Sequence, residues 1–190
     1  NLALAADGNN TPHAFASSCN CLENATAGTF GSQSSINGVH STAVFNGKLY
    51  VATKEADLSG IYRYDGGGVW TLVSDTTPGK IVAADTANID ASVLAVYNGK
   101  LYAGSQTGSA SGQGAVYTYD GSGWTLLLAT RGTFGSDANL DGVSALQVHN
   151  GKLYVFTQEP NLAAIYRYDG STTWTRLSGA GQILAETADI

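Results

Sequence analysis

A pentapeptide that occurs three times constrains this chain more than any other feature. The string Asn-Gly-Lys-Leu-Tyr begins at Asn46, Asn98 and Asn150, so its copies are spaced 52 residues apart. Each copy is followed by a string Tyr-x-Tyr-Asp-Gly and then by a Trp-Thr pair, whose Trp residues are Trp70, Trp124 and Trp174. Blocks repeated in fixed order at a period near fifty residues indicate a repeat architecture, in which each copy forms one supersecondary unit.

Each repeat is predicted to form two β-hairpins. In the middle copy, apolar runs flank Asn98-Gly99, a dipeptide suited to a type I′ turn because both central residues need a positive φ. Asp120-Gly121 lies between the Tyr string and Trp124, and we expect a second turn of the same kind there. The unit is therefore four short antiparallel strands.

A four-stranded unit repeated at about fifty residues is typical of a β-propeller blade. Over residues 36 to 178 the repeat resembles the kelch family and related bacterial propeller repeats. It departs from kelch in lacking a Gly-Gly pair after the second strand, where Thr53, Gly104-Ser105 and Thr157 stand instead. The resemblance implies an all-β propeller of four-stranded antiparallel blades, about three full blades plus a partial one. The repeated Tyr and Trp side chains are expected to pack between blades.

The repeat divides the chain into blades at 35–87, 88–140 and 141–190, all within one propeller domain. Residues 1–34 are interpreted as a degenerate half-blade or an N-terminal extension, with residues 2–8 as a third strand and its turn and residues 13–17 as a fourth strand. A closed propeller ring then needs a divergent N-terminal blade, another copy of the chain or further sequence. Unpaired strand edges favour pairing with another chain, so we expect self-association through open blade edges.

The two ends of the predicted blades differ in sequence. The Asn-Gly and Asp-Gly turns share one end and are nearly identical, whereas the second-to-third strand loops at the other end are long and unlike one another. Variable loops on a rigid scaffold commonly carry binding sites. The predicted ligand-binding residues are therefore Lys54, Glu55, Asp57, Gln106, Gln113, Gln158, Glu159 and Asn161.

One loop offers a candidate calcium site. Asp137, Asn139 and Asp141 alternate and are followed by Gly142, which matches the first half of an oxygen-ligand calcium loop. The match ends there, because Val148 stands where the Glu ligand would be. The alternative is a set of Asx turns that satisfy loop backbone groups. No other cofactor is expected.

Cys19 and Cys21 are the two cysteines of the chain. Two thiols with only His13 nearby make a poor zinc site. A strained disulfide between them, or a bridge to another chain, is favoured over free thiols.

Charge and motifs exclude several classes of function. The net charge of −6 gives no basic stripe for nucleic acid, and no apolar run is long enough to span a membrane. No nucleophile motif, metal-ligand cluster or phosphate loop occurs in the sequence, so we do not expect an enzyme. The sparse lysines and the abundance of Ser, Thr and Gly suit an extracellular location, or one on a cell or virion surface.

Three functions remain open at this stage. The first is a non-catalytic recognition module that binds a glycan or protein through the variable loops, as an adhesion protein does. The second is a structural subunit of an extracellular or viral assembly, joined to its neighbours by blade completion. The third is a segment of a larger propeller enzyme. Fold alone decides none of them.

Overall fold

The computed structural model describes residues 27–56, 58–85, 89–107, 112–159, 163–179 and 182–183, which form strands and turns without a helix. The strands are β1 (Gly38–Phe45), β2 (Lys48–Lys54), β3 (Ile61–Gly66), β4 (Val69–Leu72), β5 (Ala91–Tyr97), β6 (Lys100–Gln106), β7 (Ala115–Tyr119), β8 (Trp124–Leu126), β9 (Gly142–His149), β10 (Lys152–Gln158), β11 (Ile165–Gly170), β12 (Thr173–Arg176), β13 (Ser178–Gly179) and β14 (Gln182–Ile183). In these ranges no helix meets the length and hydropathy that a membrane crossing requires.

The twelve longer strands form three consecutive antiparallel blades. Blade 1 consists of β1–β4, blade 2 of β5–β8 and blade 3 of β9–β12, each strand pairing with the next along the chain. Single backbone pairs join neighbouring blades, Lys54 with Ala91 and Gln106 with Gly142. The all-β fold of four-stranded antiparallel blades is therefore confirmed, and the chain forms part of a propeller. The predicted strands within residues 2–17 lie outside the described residues, and the predicted blade boundaries stay a prediction.

The Trp residues lie where the repeat predicts them. Each is in a fourth strand, opposite the second Tyr of the preceding Tyr string: Tyr64 with Trp70, Tyr119 with Trp124 and Tyr168 with Trp174. This arrangement confirms the prediction that each Trp lies in an outer strand paired with the Tyr-rich strand before it. Trp124 begins its strand as predicted, whereas Val69 and Thr173 begin the strands of Trp70 and Trp174.

The two predicted turns have different outcomes. Asn46, Asn98 and Asn150 all have φ between 45° and 49°, and the following glycines have φ of 69° or 70°, which confirms the Asn-Gly turns. The prediction of the same turn at Asp-Gly is wrong in all three blades, because none of Asp65, Asp120 and Asp169 has a positive φ. In blades 1 and 3, Gly66 and Gly170 are still paired within the strands. The reason is that Asp65 occupies a bulge, where its carboxylate accepts hydrogen bonds from Arg63 at 2.8 Å and Thr71 at 2.6 Å.

Aromatic side chains form the contacts between blades, as predicted. Phe45 and Tyr50 of blade 1 pack against Tyr119 of blade 2, with ring centroids 6.3 and 6.1 Å apart. Tyr97 and Tyr102 of blade 2 pack in the same way against Tyr168 of blade 3, at 6.4 and 6.1 Å. Edge-to-face pairs at these separations add to the stabilisation that comes from burial.

A second repeated pentapeptide positions the connections that lead into blades 1 and 3. The string Gly-Thr-Phe-Gly-Ser begins at Gly28 and again at Gly132, two repeat lengths apart. Its phenylalanines pack on the Trp of the blade that follows, Phe30 on Trp70 at 5.2 Å and Phe134 on Trp174 at 5.4 Å. The signal for this anchor is the repeated pentapeptide itself, which is visible in the sequence.

Candidate functional site

A buried hydroxyl closes the loop end of each blade. Thr53, Ser105 and Thr157 stand at repeat-equivalent positions in the second strands, and all three are buried. Each hydroxyl accepts a hydrogen bond from the backbone N–H at the far end of the second-to-third strand loop, at 2.9 to 3.1 Å. These clamps fix the position of the residue that follows each of them.

The residues that follow the clamps are Lys54, Gln106 and Gln158, which were predicted as ligand-binding residues. The Gln106 side-chain amide donates a hydrogen bond to the Gln158 side-chain carbonyl of the next blade. The structure therefore brings two predicted residues, 52 positions apart in sequence, into direct contact. Lys54 is exposed at the equivalent position of blade 1.

Two further polar residues at this end were not predicted. His40 and Ser144 lie at the register shifts of β1 and β9, two repeat lengths apart, and both are exposed. The ring of His40 lies 3.2 Å from the Ser92 carbonyl of blade 2. Bulges re-aim side chains and are over-represented beside functional sites. A two-residue alternation pattern contains no signal for a bulge, which is why sequence reasoning missed them.

Glu55 and Glu159, both predicted to bind ligand, each bond to a backbone N–H, and their role in ligand binding stays a prediction. The Glu55 carboxylate accepts a hydrogen bond from the Asn37 N–H at 3.1 Å, and Glu159 accepts one from the Asp141 N–H at 3.2 Å. The two contacts are repeat-equivalent, and each fixes the entry to a first strand. Gln113 is half-buried in the described part of its loop. Asp57 and Asn161 lie outside the described residues.

The candidate calcium residues have separate partners. The Asp137 carboxylate accepts hydrogen bonds from the Tyr166 hydroxyl and from Arg176 at 3.1 Å. Asp141 accepts one from the Gly112 N–H at 3.0 Å, and Asn139 has a positive φ of 64°. Burial, followed by the bond to Asp137, raises the pKa of Tyr166. Among the described residues no group of three His, Cys, Asp or Glu side chains could hold a metal ion. Calcium here stays a prediction.

A buried ionic group beneath the connection between blades 1 and 2 was also missed. The Asp85 carboxylate accepts hydrogen bonds from Tyr117 at 2.8 Å and from Arg131, and its second oxygen accepts two from the Ile81 and Val82 N–H groups. Burial, and then the charge of Asp85, raise the pKa of Tyr117. With its oxygens satisfied in this way, Asp85 holds a connection in place. Cys19 and Cys21 lie outside the described residues.

Comparisons with known proteins give structural likeness without sequence likeness. No family model matches the chain, and no curated protein matches it in sequence. Among solved structures it is similar to Bacteroides ovatus xyloglucan PUL GH43B, with 15% identity over 76% of this chain and a TM-score of 0.48. It is also similar to a fucose lectin from Kordia zhangzhouensis in complex with methyl-fucoside, with 12% identity over 74% of this chain and a TM-score of 0.44. The matches cover 31% of the first protein and 98% of the second, so the chain spans about a third of the first.

Proposed function

We propose that this protein is a non-catalytic recognition module that binds a glycan at the loop end of its blades, through Gln106, Gln158 and Lys54. The observation that carries the proposal is the hydrogen bond between Gln106 and Gln158, which joins equivalent positions of neighbouring blades. Side-chain amides bonded in this way keep a carbonyl on Gln106 and an amino group on Gln158 for a ligand. Sugar hydroxyls both donate and accept hydrogen bonds, so they suit such a pair.

The surroundings of this pair support the same proposal. The exposed Ser144 and His40 at the bulges add hydroxyl and imidazole groups at the same end. Anchors lie directly beside them, since Glu159 accepts a hydrogen bond from the Asp141 N–H and the Thr157 hydroxyl accepts one from the Ala164 N–H. A polar site held by such anchors is preorganised, which lowers the entropic cost of binding. An extracellular or surface location and the kelch-like family membership belong to this proposal.

The test uses a printed array of neutral and acidic oligosaccharides, followed by calorimetric titration of the strongest binder. We expect Gln106→Ala and Gln158→Ala each to weaken affinity about tenfold, the equivalent of about 1.4 kcal/mol. Gln147→Ala is the matched control, because Gln147 is an exposed glutamine on β9 away from the clamps, and it should leave affinity unchanged. Absence of binding to any oligosaccharide, or equal effects of all three variants, would overturn the proposal.

A further inference from the structure

A polar residue lies at the same place before each blade. The residues that immediately precede the first strands β1, β5 and β9 are Asn37, Asp90 and Asp141, and we refer to them as the entry residues. Each donates its backbone N–H to the end of a second strand or to the residue directly after it. The acceptors are the Glu55 carboxylate at 3.1 Å, the Gln106 carbonyl at 3.0 Å and the Glu159 carboxylate at 3.2 Å, in chain order. The entry residues therefore connect the first strands to the end of the blades that carries the proposed glycan site.

The residue that follows the second strand makes a different contact in blade 2. In blades 1 and 3 this residue is a glutamate, which bonds to the entry residue of its own blade. In blade 2 it is Thr107, which is 8% exposed and whose hydroxyl donates a hydrogen bond to the Asp141 carbonyl of blade 3 at 3.2 Å. This bond crosses between blades 2 and 3, the same boundary that the Gln106–Gln158 hydrogen bond crosses.

Asp141 therefore bonds to the loops behind both glutamines. Its carbonyl accepts the Thr107 hydroxyl, and its N–H donates to Glu159, and these two residues directly follow Gln106 and Gln158. Its carboxylate accepts a third hydrogen bond, from the Gly112 N–H at 3.0 Å, in the loop that begins with Thr107. Two of these three bonds involve a carboxylate, and hydrogen bonds to charged acceptors are stronger than neutral ones.

The boundary between blades 1 and 2 is connected in another way. Asp90 accepts a hydrogen bond from the Glu55 N–H at 3.0 Å and donates one to the Gln106 carbonyl at 3.0 Å, and both bonds join backbone to backbone. Such bonds form with almost any residue type, because every residue except Pro carries a backbone donor and acceptor. The three bonds of Asp141 each use a side chain, so they depend on which residues stand at these positions.

We propose that Asp141 is a positioning residue for the glycan site, which holds the loops after Gln106 and Gln158 so that their side-chain amides meet. The effect on affinity rests on the proposed function, whereas the positioning of the two glutamines is a property of the ligand-free protein. A pair that is already ordered loses less side-chain entropy when a ligand binds.

The first measurement needs no glycan. In the ligand-free protein we expect a nuclear Overhauser contact between the side-chain amide protons of Gln106 and the γ protons of Gln158. The variant Thr107→Val/Asp141→Ala removes two of the three bonds, and this contact should be lost. Thr107→Val with Asp141→Asn should restore part of it, because the amide oxygen of Asn still accepts a hydrogen bond from the Gly112 N–H.

The matched control is Asp120→Ala at the turn end. The Asp120 carboxylate also accepts hydrogen bonds from backbone N–H groups, those of Ser122 and Gly123. This variant loses stabilising bonds of the same kind but should keep the contact between the two glutamines. In calorimetric titration with the strongest binder of the oligosaccharide array, Thr107→Val/Asp141→Ala should bind about fivefold more weakly, since a freed side chain must be ordered again. Asp120→Ala should bind like the wild type.

The inference and the proposed function fail in different ways. A folded Thr107→Val/Asp141→Ala protein that keeps the contact between the glutamines would overturn the inference, even if the wild type binds a glycan. Loss of the contact in Asp120→Ala to the same extent would overturn it as well, because general destabilisation would then explain the result. Loss of the contact as expected, in a protein that binds no oligosaccharide, would support the positioning role and overturn the proposed function alone. If the double variant does not fold, Thr107→Val is measured in its place with the same criteria.

Discussion

The strand connections at the two ends of the blades are held in different ways. At the turn end, the three Asn-Gly pairs have almost identical φ values and no neighbour near the glycines that follow Asn46, Asn98 and Asn150. At the loop end, the connections differ in length and sequence and are held by anchors such as Glu55 and Asp85. The comparison shows that the turn end specifies the fold through local conformation, whereas the loop end depends on long-range contacts. We propose that side chains which the anchors do not use are available for recognition.

Two glycines with the same backbone conformation are expected to show the largest difference in stability between the two ends. Gly132 at the loop end and Gly99 at the turn end have φ of 68° and 69°. A Cβ on Gly132 would lie 2.1 Å from the Gly112 carbonyl oxygen, whereas one on Gly99 would meet nothing within 4 Å. We expect Gly99→Ala to cost about 1–2 kcal/mol of unfolding free energy from the positive φ alone. Gly132→Ala should cost about 3 kcal/mol or more, because overpacking against backbone adds to the same strain.

Urea unfolding of the two variants measures this difference. Equal destabilisation by Gly99→Ala and Gly132→Ala would mean that the loop end is as loosely packed as the turn end.

Removal of a buried hydroxyl clamp is expected to have the next largest effect on the unfolding free energy. Thr157→Val keeps the shape of the side chain but leaves the Ala164 N–H without the hydroxyl that now accepts its hydrogen bond at 3.0 Å. An unsatisfied buried N–H lowers the unfolding free energy by about 1–3 kcal/mol. Urea should therefore unfold Thr157→Val at a lower concentration than it unfolds the wild type. Thr42→Val on the exposed side of β1 is the control, and it should change stability by less than about 0.5 kcal/mol. A Thr157→Val protein as stable as the wild type would show that the clamp is dispensable.

The sequence predicts the turn end better than the loop end for a physical reason. The Asn-Gly turns follow from φ preferences of two adjacent residues, so the dipeptide at Asn98 is sufficient to predict them. The contact of Glu55 with the Asn37 N–H joins residues 18 positions apart, and no local pattern indicates it. The Asp-Gly prediction failed because the neighbouring Arg63 and Thr71 recruit the Asp65 carboxylate into a bulge. The Gln106–Gln158 contact depends on how neighbouring blades pack, so only the three-dimensional structure reveals it.

Acid should slightly weaken the hydrogen bonds that the Asp120 carboxylate accepts at the turn end. Hydrogen bonds from the Ser122 hydroxyl and N–H and from the Gly123 N–H lower the pKa of Asp120 to about 2. Because the pKa is lower in the folded protein than the unfolded value of about 3.9, the stabilisation is present above about pH 4 and is lost as pH falls toward 2. Asp120→Asn should be less stable than the wild type at pH 7 and equally stable near pH 2. A difference that stays constant with pH would contradict the assignment.

Metal removal is expected to have the smallest effect on the melting temperature. Asp137 already has Arg176 and Tyr166 as partners, and Asp141 accepts a backbone hydrogen bond. We therefore expect EDTA to leave the melting temperature unchanged. A fall of several degrees that Asp141→Asn abolishes would instead establish calcium at this loop and add a metal to the loop end.

The most direct test of the account maps a bound oligosaccharide onto the two ends. Amide chemical shifts of the ¹⁵N-labelled protein are recorded while the strongest binder from the array is titrated. We expect the signals that shift to belong to Lys54, Gln106, Gln158 and Ser144 and to the side-chain amides of Gln106 and Gln158. The signals of Asn46, Asn98 and Asn150 at the turn end should stay in place. Shifts concentrated at the Asn-Gly turns, with the Gln106 and Gln158 signals unmoved, would contradict the claim that the loop end is the recognition surface.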